Sequence, residues 1–171
     1  MSDAQAALRA RLGAGARYDG DTAPQEALLL ARRGAAYFAR VLGGLRDTDL
    51  TAPRRRIIAA TAYDARDLAE ALGAFRTGTA LPDPDRARRL AMGETLPARA
   101  LRHLVQHADV HLNVEWRDLS DADWAGQIIL PKTGAIAIAD TPLRRARLVW
   151  QSALDLGGAA RLRDLPAALR P

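Results

Sequence analysis

The apolar residues of this chain recur at intervals of three and four, the spacing that places them on one face of a helix. The first series predicts a helix that ends near Leu45, with Thr22 and Gln25 as a capping box at its start. Two further series predict helices over about 54–75 and 97–117. A last series predicts a helix that starts after Thr141 and Pro142 and ends at the glycine pair 157–158. Helices with matched apolar faces pack against one another, so the pattern predicts a helical bundle.

Two connections interrupt the helical pattern. The first, between the second and third long helices, contains Gly78, Pro82 and Pro84, with a short helical piece expected at about 85–92. The second, at 128–138, has β-branched residues on both sides of a turn that contains glycine, and it predicts a β-hairpin.

These elements together predict an all-α four-helix bundle with a long crossover and a small β-hairpin insert before the last helix. We assign residues 1–21 to an N-terminal arm and residues 22–171 to the bundle.

The composition narrows the possible chemistry. The chain of 171 residues has no cysteine, which excludes disulfides, thiolate zinc sites and cysteine nucleophiles.

No apolar run reaches the roughly 20 residues that span a bilayer, and the N-terminus lacks the apolar core of a signal peptide, so we expect a cytoplasmic protein that does not bind membranes. The net charge is +5, but acids are interspersed and aromatic residues make up only 5%, so nucleic-acid binding is kept only as a weak alternative.

Polar residues interrupt the apolar faces of the predicted helices. Burying such a group without a partner costs about 1–3 kcal/mol, and bundles build their ligand sites from inward-facing polar groups. We therefore predict one internal cavity between the last three long helices. The polar residues are Thr61, His111, Glu115 and Ser152, with Asp64 and Asp155 about one turn from two of them.

Structural roles are the alternative for each of these residues. A buried threonine or serine often bonds a carbonyl of its own helix. Glu115 can pair with His111, four residues away, or with an arginine of another helix. All three histidines lie on the third predicted helix, but His103, His107 and His111 rotate by about 40° per step, so no metal is expected on this stripe.

Five segments carry a resemblance to a known family. With them, the chain resembles the N-terminal domain of the mycothiol-dependent maleylpyruvate isomerase family, within the DinB-like metal-binding bundles, over about residues 12–169. The segments are GARYD at 15–19, LLLARRGAAYFARVL at 28–42, RTG at 76–78, LPARALRHLVQHADVHLNVEWRDL at 96–119 and RRARLVWQSALDLGGAARLRDLP at 144–166.

The resemblance implies a divalent metal, usually zinc, that activates the sulfur of mycothiol. The family's ligands are a histidine on the second helix and a Glu-x-x-x-His pair on the fourth. On the family pattern these positions are Thr61, Leu148 and Ser152 here. Leucine has no donor and neutral hydroxyls are poor zinc ligands, so we expect no metal and no cofactor, and zinc or mycothiol only if other residues replace the ligands.

Three functional hypotheses follow from the sequence. The first is an internal small-molecule pocket with metal-free isomerase or lyase chemistry on an unsaturated acid. His111 or Glu115 would then transfer protons, Thr61 and Ser152 would orient the substrate, and Arg66 or Arg147 would hold its carboxylate, beside Asp64 and Asp155.

The second hypothesis is a non-enzymatic partner or regulatory protein, which forms a homodimer or pairs with an intact homologue. The third is a mycothiol- and metal-dependent isomerase or transferase that recruits replacement ligands. The residues available for that role are Asp64, His111, Glu115 and Asp155.

Overall fold

The computed structural model describes residues 19–81, 85–130 and 133–170. Most of the predicted arm (1–18), the prolines of the crossover (82 and 84), and the first two residues of the hairpin turn (131–132) lie outside the described residues.

The described residues form five helices and one two-stranded hairpin, which confirms the predicted all-α class. The elements are α1 (Gln25–Gly43), α2 (Ala52–Thr77), α3 (Arg86–Thr95), α4 (Ala98–Asp118), β1 (Gln127–Leu130), β2 (Gly134–Ala137) and α5 (Thr141–Leu156). The short helix α3 lies within the predicted crossover, and the hairpin precedes the last helix as predicted.

Two helix pairs build the bundle. Helix α1 packs along α5, α2 packs along α4, and α2 also contacts α5, whereas α1 and α4 touch only at few points. A Cβ on Gly34 would lie 2.5 Å from Cγ2 of Val149, so α1 and α5 approach closely at that glycine. Among the described residues, the weak contact between α1 and α4 leaves a groove on that side of the bundle.

Buried apolar side chains from all four long helices fill the core. Fully burying one large aliphatic or aromatic side chain contributes about 1.5–3 kcal/mol, so this shared core holds the bundle together. Its most buried members include Leu28, Phe38, Ile58, Leu68, Leu101, Leu112 and Val149.

The hairpin closes one end of the core. Its antiparallel strands pair Ile128 with Ile136, and β1 alternates between buried and exposed side chains, with Ile128 and Leu130 inward and Ile129 outward. β1 contacts α2, and its burial pattern is that of a strand with one face on the core. Trp116 then donates from Nε1 to Oγ1 of Thr141 at 3.0 Å, which ties α4 to the start of α5.

The predicted capping box of the first helix is wrong. The Thr22 hydroxyl donates to the carbonyl oxygen of Asp121 at 2.9 Å, and Gln25 Nε2 donates to the carbonyl of Gly20 at 3.1 Å. The N-cap of α1 is Pro24, which makes no side-chain capping bond. A tertiary partner, 99 residues away in the chain, takes the hydroxyl that the local pattern assigned to the helix end.

The other helices follow the predicted positions with shifted ends. Helix α2 is longer than predicted at both ends and stops at Gly78, whose φ of 68° lies in the left-handed region that favours glycine. Along the described residues, no helix is both long and apolar enough to span a bilayer.

Candidate functional site

A buried arginine occupies the interior between α2, α4 and α5. Arg145 is 1% exposed. Its Nη1 donates to the carbonyl oxygen of Thr61 at 2.7 Å and to Oδ2 of Asp64 at 3.2 Å, and its Nη2 donates to Oδ1 of Asp109 at 2.7 Å. Arg144 also donates to Oδ1 of Asp64, at 2.7 Å. We call these two arginines and two aspartates the Arg145 network, and its formal charge is balanced.

A second polar cluster forms around Glu115. Its carboxylate accepts from Arg76 Nη2 at 3.1 Å and lies 3.4 Å from Nε2 of His111, so both pairings that the sequence left open occur together. The Glu115 side chain is 10% exposed and that of His111 is 40% exposed. A Cβ on Gly73 would lie 3.4 Å from the carboxylate, which is an ordinary van der Waals distance, so α2 packs against Glu115 at this glycine.

The two clusters lie on different levels of the bundle. Thr61 and Gly73 belong to the same helix, α2, and are twelve residues apart. At a rise of 1.5 Å per residue they are about 18 Å apart along the helix axis. The structure therefore brings His111 together with Glu115, and Thr61 together with Asp64, but it does not bring the two pairs into one cavity.

The remaining residues of the predicted site join neither cluster. Arg66 lies 3.6 Å from Glu70 on its own helix. Arg147 is exposed, and Asp155 is exposed and accepts a bond from Gln151 Nε2 at 2.7 Å. Their roles as substrate-binding residues remain predictions.

Two solved structures resemble this bundle. A crystal structure of the mycothiol-dependent maleylpyruvate isomerase superposes with a TM-score of 0.78 at 29% sequence identity, over 85% of this chain and 65% of that chain. A histidine-to-alanine mutant of the mycothiol-dependent maleylpyruvate isomerase gives the same values. No protein-family model matches the chain, and no curated protein matches it.

This chain resembles the mycothiol-dependent maleylpyruvate isomerase in fold and in sequence. The resemblance predicted from the sequence is thereby confirmed, as is the fold. The chain spans 65% of the length of the isomerases that it matches.

The metal positions implied for the maleylpyruvate isomerase family do not fit a metal in this chain. The Thr61 hydroxyl donates to the carbonyl of Ile57 at 2.7 Å, which is the own-helix bond that the sequence left as an alternative. Leu148 is half-buried against the core and Ser152 is also half-buried. Neither leucine nor a hydroxyl already bonded to its own helix is a ligand that zinc prefers.

Replacement ligands are not assembled either. Across residues 19–81, 85–130 and 133–170, no three histidine, aspartate or glutamate side chains come together as a metal site. Asp64 is bound to arginines and Glu115 lies in the other cluster, so the proposed replacement set is dispersed over the bundle.

The sequence analysis missed several charged residues of the interior. Asp67 is buried and pairs with Arg86 and with Arg89 on α3, the latter at 3.5 Å. Burial raises the pKa of Asp67, while the positive charges of Arg86 and Arg89 act in the opposite direction. Asp109 and Arg145 were missed too. The sequence did contain one signal for Asp67. It lies three residues after Asp64 on the predicted second helix, so the two side chains share one face of that helix.

A further feature missed from the sequence is a groove that the described residues form on one side of the bundle. It has a volume of about 460 Å³ and lies between α1 and α4, and we call it the α1–α4 groove. Small or apolar side chains form most of its surface, with polar side chains around them. The lining residues are Arg32, Ala35, Ala36, Ala39, Leu42, Gly43, Arg102, Val105, Gln106, Asp109, Val110 and Asn113.

Proposed function

We propose that this chain is a metal-independent member of the maleylpyruvate isomerase family. In this proposal, His111 supplies proton-transfer chemistry toward a small unsaturated acid. The observation that carries the proposal is the contact of 3.4 Å between His111 Nε2 and Glu115 Oε1, with the carboxylate anchored by Arg76.

Metal independence is supported by what fills the interior. The Arg145 guanidinium bonds to the carbonyl of Thr61, and its charge is already balanced by Asp64 and Asp109. A divalent cation here would have to compete with a fixed guanidinium for the same oxygens, without histidine ligands. The arginine network supplies no free carboxylate for a metal.

The geometry of His111 suits a general base. A proton on Nε2 points toward Glu115, which leaves the lone pair of Nδ1 directed away from the carboxylate. Glu115 is nearly buried and is held by Arg76, so the carboxylate orients the imidazole. The imidazole itself is half-exposed and therefore accessible to a substrate.

The proposed reaction is a proton shift. Nδ1 of His111 takes a proton from a carbon next to the carbonyl of the acid, and the electron pair moves into the conjugated system. The protonated imidazole then returns the proton at another carbon, so the double bond moves and no oxidant or reductant is needed. Arg76, about one-third exposed, is positioned to hold the carboxylate of the same substrate.

The test is turnover of maleylpyruvate, followed by absorbance, with and without mycothiol and before and after treatment with a chelator. We expect turnover to survive chelation. His111→Gln should lower kcat by about 100-fold or more, because general acid–base catalysis contributes about 10²–10⁴-fold.

His107→Gln is the matched control, because His107 is exposed on the same helix, one turn away. It should leave kcat unchanged. Loss of turnover on chelation, or equal kcat in the two histidine variants, would overturn the proposal.

A second candidate is a non-enzymatic member of the family. It is favoured by the pairing of the carboxylates predicted for the site, because Asp64 is neutralised by Arg144 and Arg145, and Glu115 is paired with Arg76. Ion pairs of this kind also occur as structural groups that take no part in any reaction. No turnover in any condition, from protein that is folded by circular dichroism, would support this candidate, and co-purification with a second copy or a homologue would identify its partner.

A further inference from the structure

The guanidinium of Arg145 lies among oxygen atoms that two other helices supply. Helix α2 contributes the carbonyl oxygen of Thr61 at 2.7 Å and Oδ2 of Asp64 at 3.2 Å, and α4 contributes Oδ1 of Asp109 at 2.7 Å. The Arg145 side chain is 2% exposed. A charge that is buried to this extent loses its hydration and needs such oxygens to compensate for it. The interior between α2, α4 and α5 is therefore built around one positive charge.

This positive charge lies beside the positions at which the family resemblance implies a metal. The guanidinium bonds to the carbonyl of Thr61, which is the implied position on α2. On α5, Leu148 and Ser152 follow Arg145 by three and seven residues, which places the three residues on one face of that helix. Each implied position is therefore adjacent to Arg145, either by contact or along a helix face.

We propose that the Arg145 guanidinium takes the place of a divalent cation in this bundle. The chain then lacks the implied metal ligands and, in addition, holds a positive charge of its own at the same place. The inference deepens the metal independence of the proposed function and rests on it, but it needs no role for His111.

The formal charges of the Arg145 network support this exchange. Arg144 and Arg145 contribute +2, and Asp64 and Asp109 contribute −2, so the network is neutral without a metal. A divalent cation added to it would leave an excess of +2 in a buried site, where charges are poorly screened. Glutamate at Leu148 would remove only one of these charges. If Arg145 were also removed, a zinc ion and Arg144 would be balanced by three carboxylates.

Zinc binding by two multiple variants tests the proposal. Both variants carry the implied ligands, through Thr61→His, Leu148→Glu and Ser152→His, and one of them also carries Arg145→Ala. Zinc alone is the probe, and competition with a colorimetric chelator gives its affinity. We expect the variant without Arg145 to bind zinc about 100-fold more tightly, because the guanidinium no longer opposes the second cation.

Arg147→Ala, added to the same three ligands, is the matched control. It removes the same charge from the same helix, but Arg147 is exposed and solvent screens its charge. It should change the zinc affinity by less than about threefold. Circular dichroism establishes that each of the compared variants is folded.

Equal zinc affinities with and without Arg145 would show that the guanidinium does not take the place of a cation, and the inference would then be wrong. Absence of zinc binding in the folded variant without Arg145 would overturn it as well. Neither result bears on His111 or on turnover after chelation. Tight zinc binding by the wild type would overturn both this inference and the metal independence of the proposed function.

A second measurement needs no added ligands and applies also if the multiple variants do not fold. Arg145→Ala leaves the oxygens of Thr61, Asp64 and Asp109 without their cation, and carboxylate and carbonyl oxygens are ligands that suit Mn²⁺. Millimolar Mn²⁺ should therefore raise the Tm of Arg145→Ala by several degrees and leave the Tm of the wild type and of Arg147→Ala unchanged. Equal responses of the three proteins would contradict the inference.

Discussion

The Arg145 network makes a strong prediction about stability. Arg145→Met removes a buried guanidinium and leaves Asp109 without its arginine partner and Asp64 with Arg144 alone. Methionine fills much of the same volume, so the effect measures lost charge pairing more than a cavity.

The magnitude follows from the burial of the pair. The side chains of Arg145 and Asp64 are each 2% exposed, and removing one partner of a buried ion pair costs about 3–5 kcal/mol. For a chain of this size, 1 kcal/mol shifts the melting temperature by about 2–4 °C. We therefore expect Tm to fall by roughly 6–20 °C.

The assay is urea and thermal unfolding followed by circular dichroism at pH 7. Arg147→Met is the control on the same helix, because Arg147 is exposed, and it should change stability by less than about 0.5 kcal/mol. Adding Asp64→Asn to Arg145→Met should cost less than the sum of the two single changes, because the two residues form one network. A stability of Arg145→Met within about 1 kcal/mol of the wild type would refute this reasoning.

Two further predictions concern other parts of the bundle. Gly34→Ala should destabilise the protein by about 1–3 kcal/mol in urea unfolding, because the added Cβ would collide with Val149. Gly43→Ala is the control and should be neutral or stabilising, because a Cβ at Gly43 would have no neighbouring atom within 4 Å. Equal effects of the two substitutions would contradict the close approach of α1 and α5. The Tyr37 hydroxyl donates to Asp164 Oδ2 at 2.6 Å, and this bond lowers the pKa of Asp164, so the stability it contributes is present at neutral pH and is lost as pH falls through that lowered pKa. Tyr37→Phe should therefore lower Tm at pH 7 and have a smaller effect in acid, and a difference in Tm that stays constant down to pH 2–3 would contradict this assignment.

The apolar pattern predicted the helices because helix faces repeat every 3.6 residues whatever they pack against. It placed α2, α4 and α5 within a few residues of their observed bounds, and it placed the hairpin and the short helix of the crossover. Thr61 and Glu115 were also correctly expected to be buried, since they interrupt apolar faces.

The partners of those residues could not be read from the sequence. Whether Glu115 pairs with His111, with an arginine, or with both depends on how α2 lies against α4, and the structure places Arg76 and His111 on the same carboxylate. The separation of the predicted site into two clusters has the same origin. The sequence shows which face of a helix a residue occupies, but only the packing of α2 against α4 decides which residues of the two helices lie at the same level.

The sequence by itself determined the helices, the bundle class, the family resemblance and the residue types at the implied metal positions. Tertiary structure alone decided that Arg145 fills the interior beside Thr61 and that the described parts of α1 and α4 border a groove. The physical reason is the distance along the chain over which each kind of interaction acts. Helix periodicity and side-chain chemistry are local properties of the chain, whereas ion pairs such as that of Arg145 with Asp64 join residues about 80 positions apart, and only packing brings such residues together.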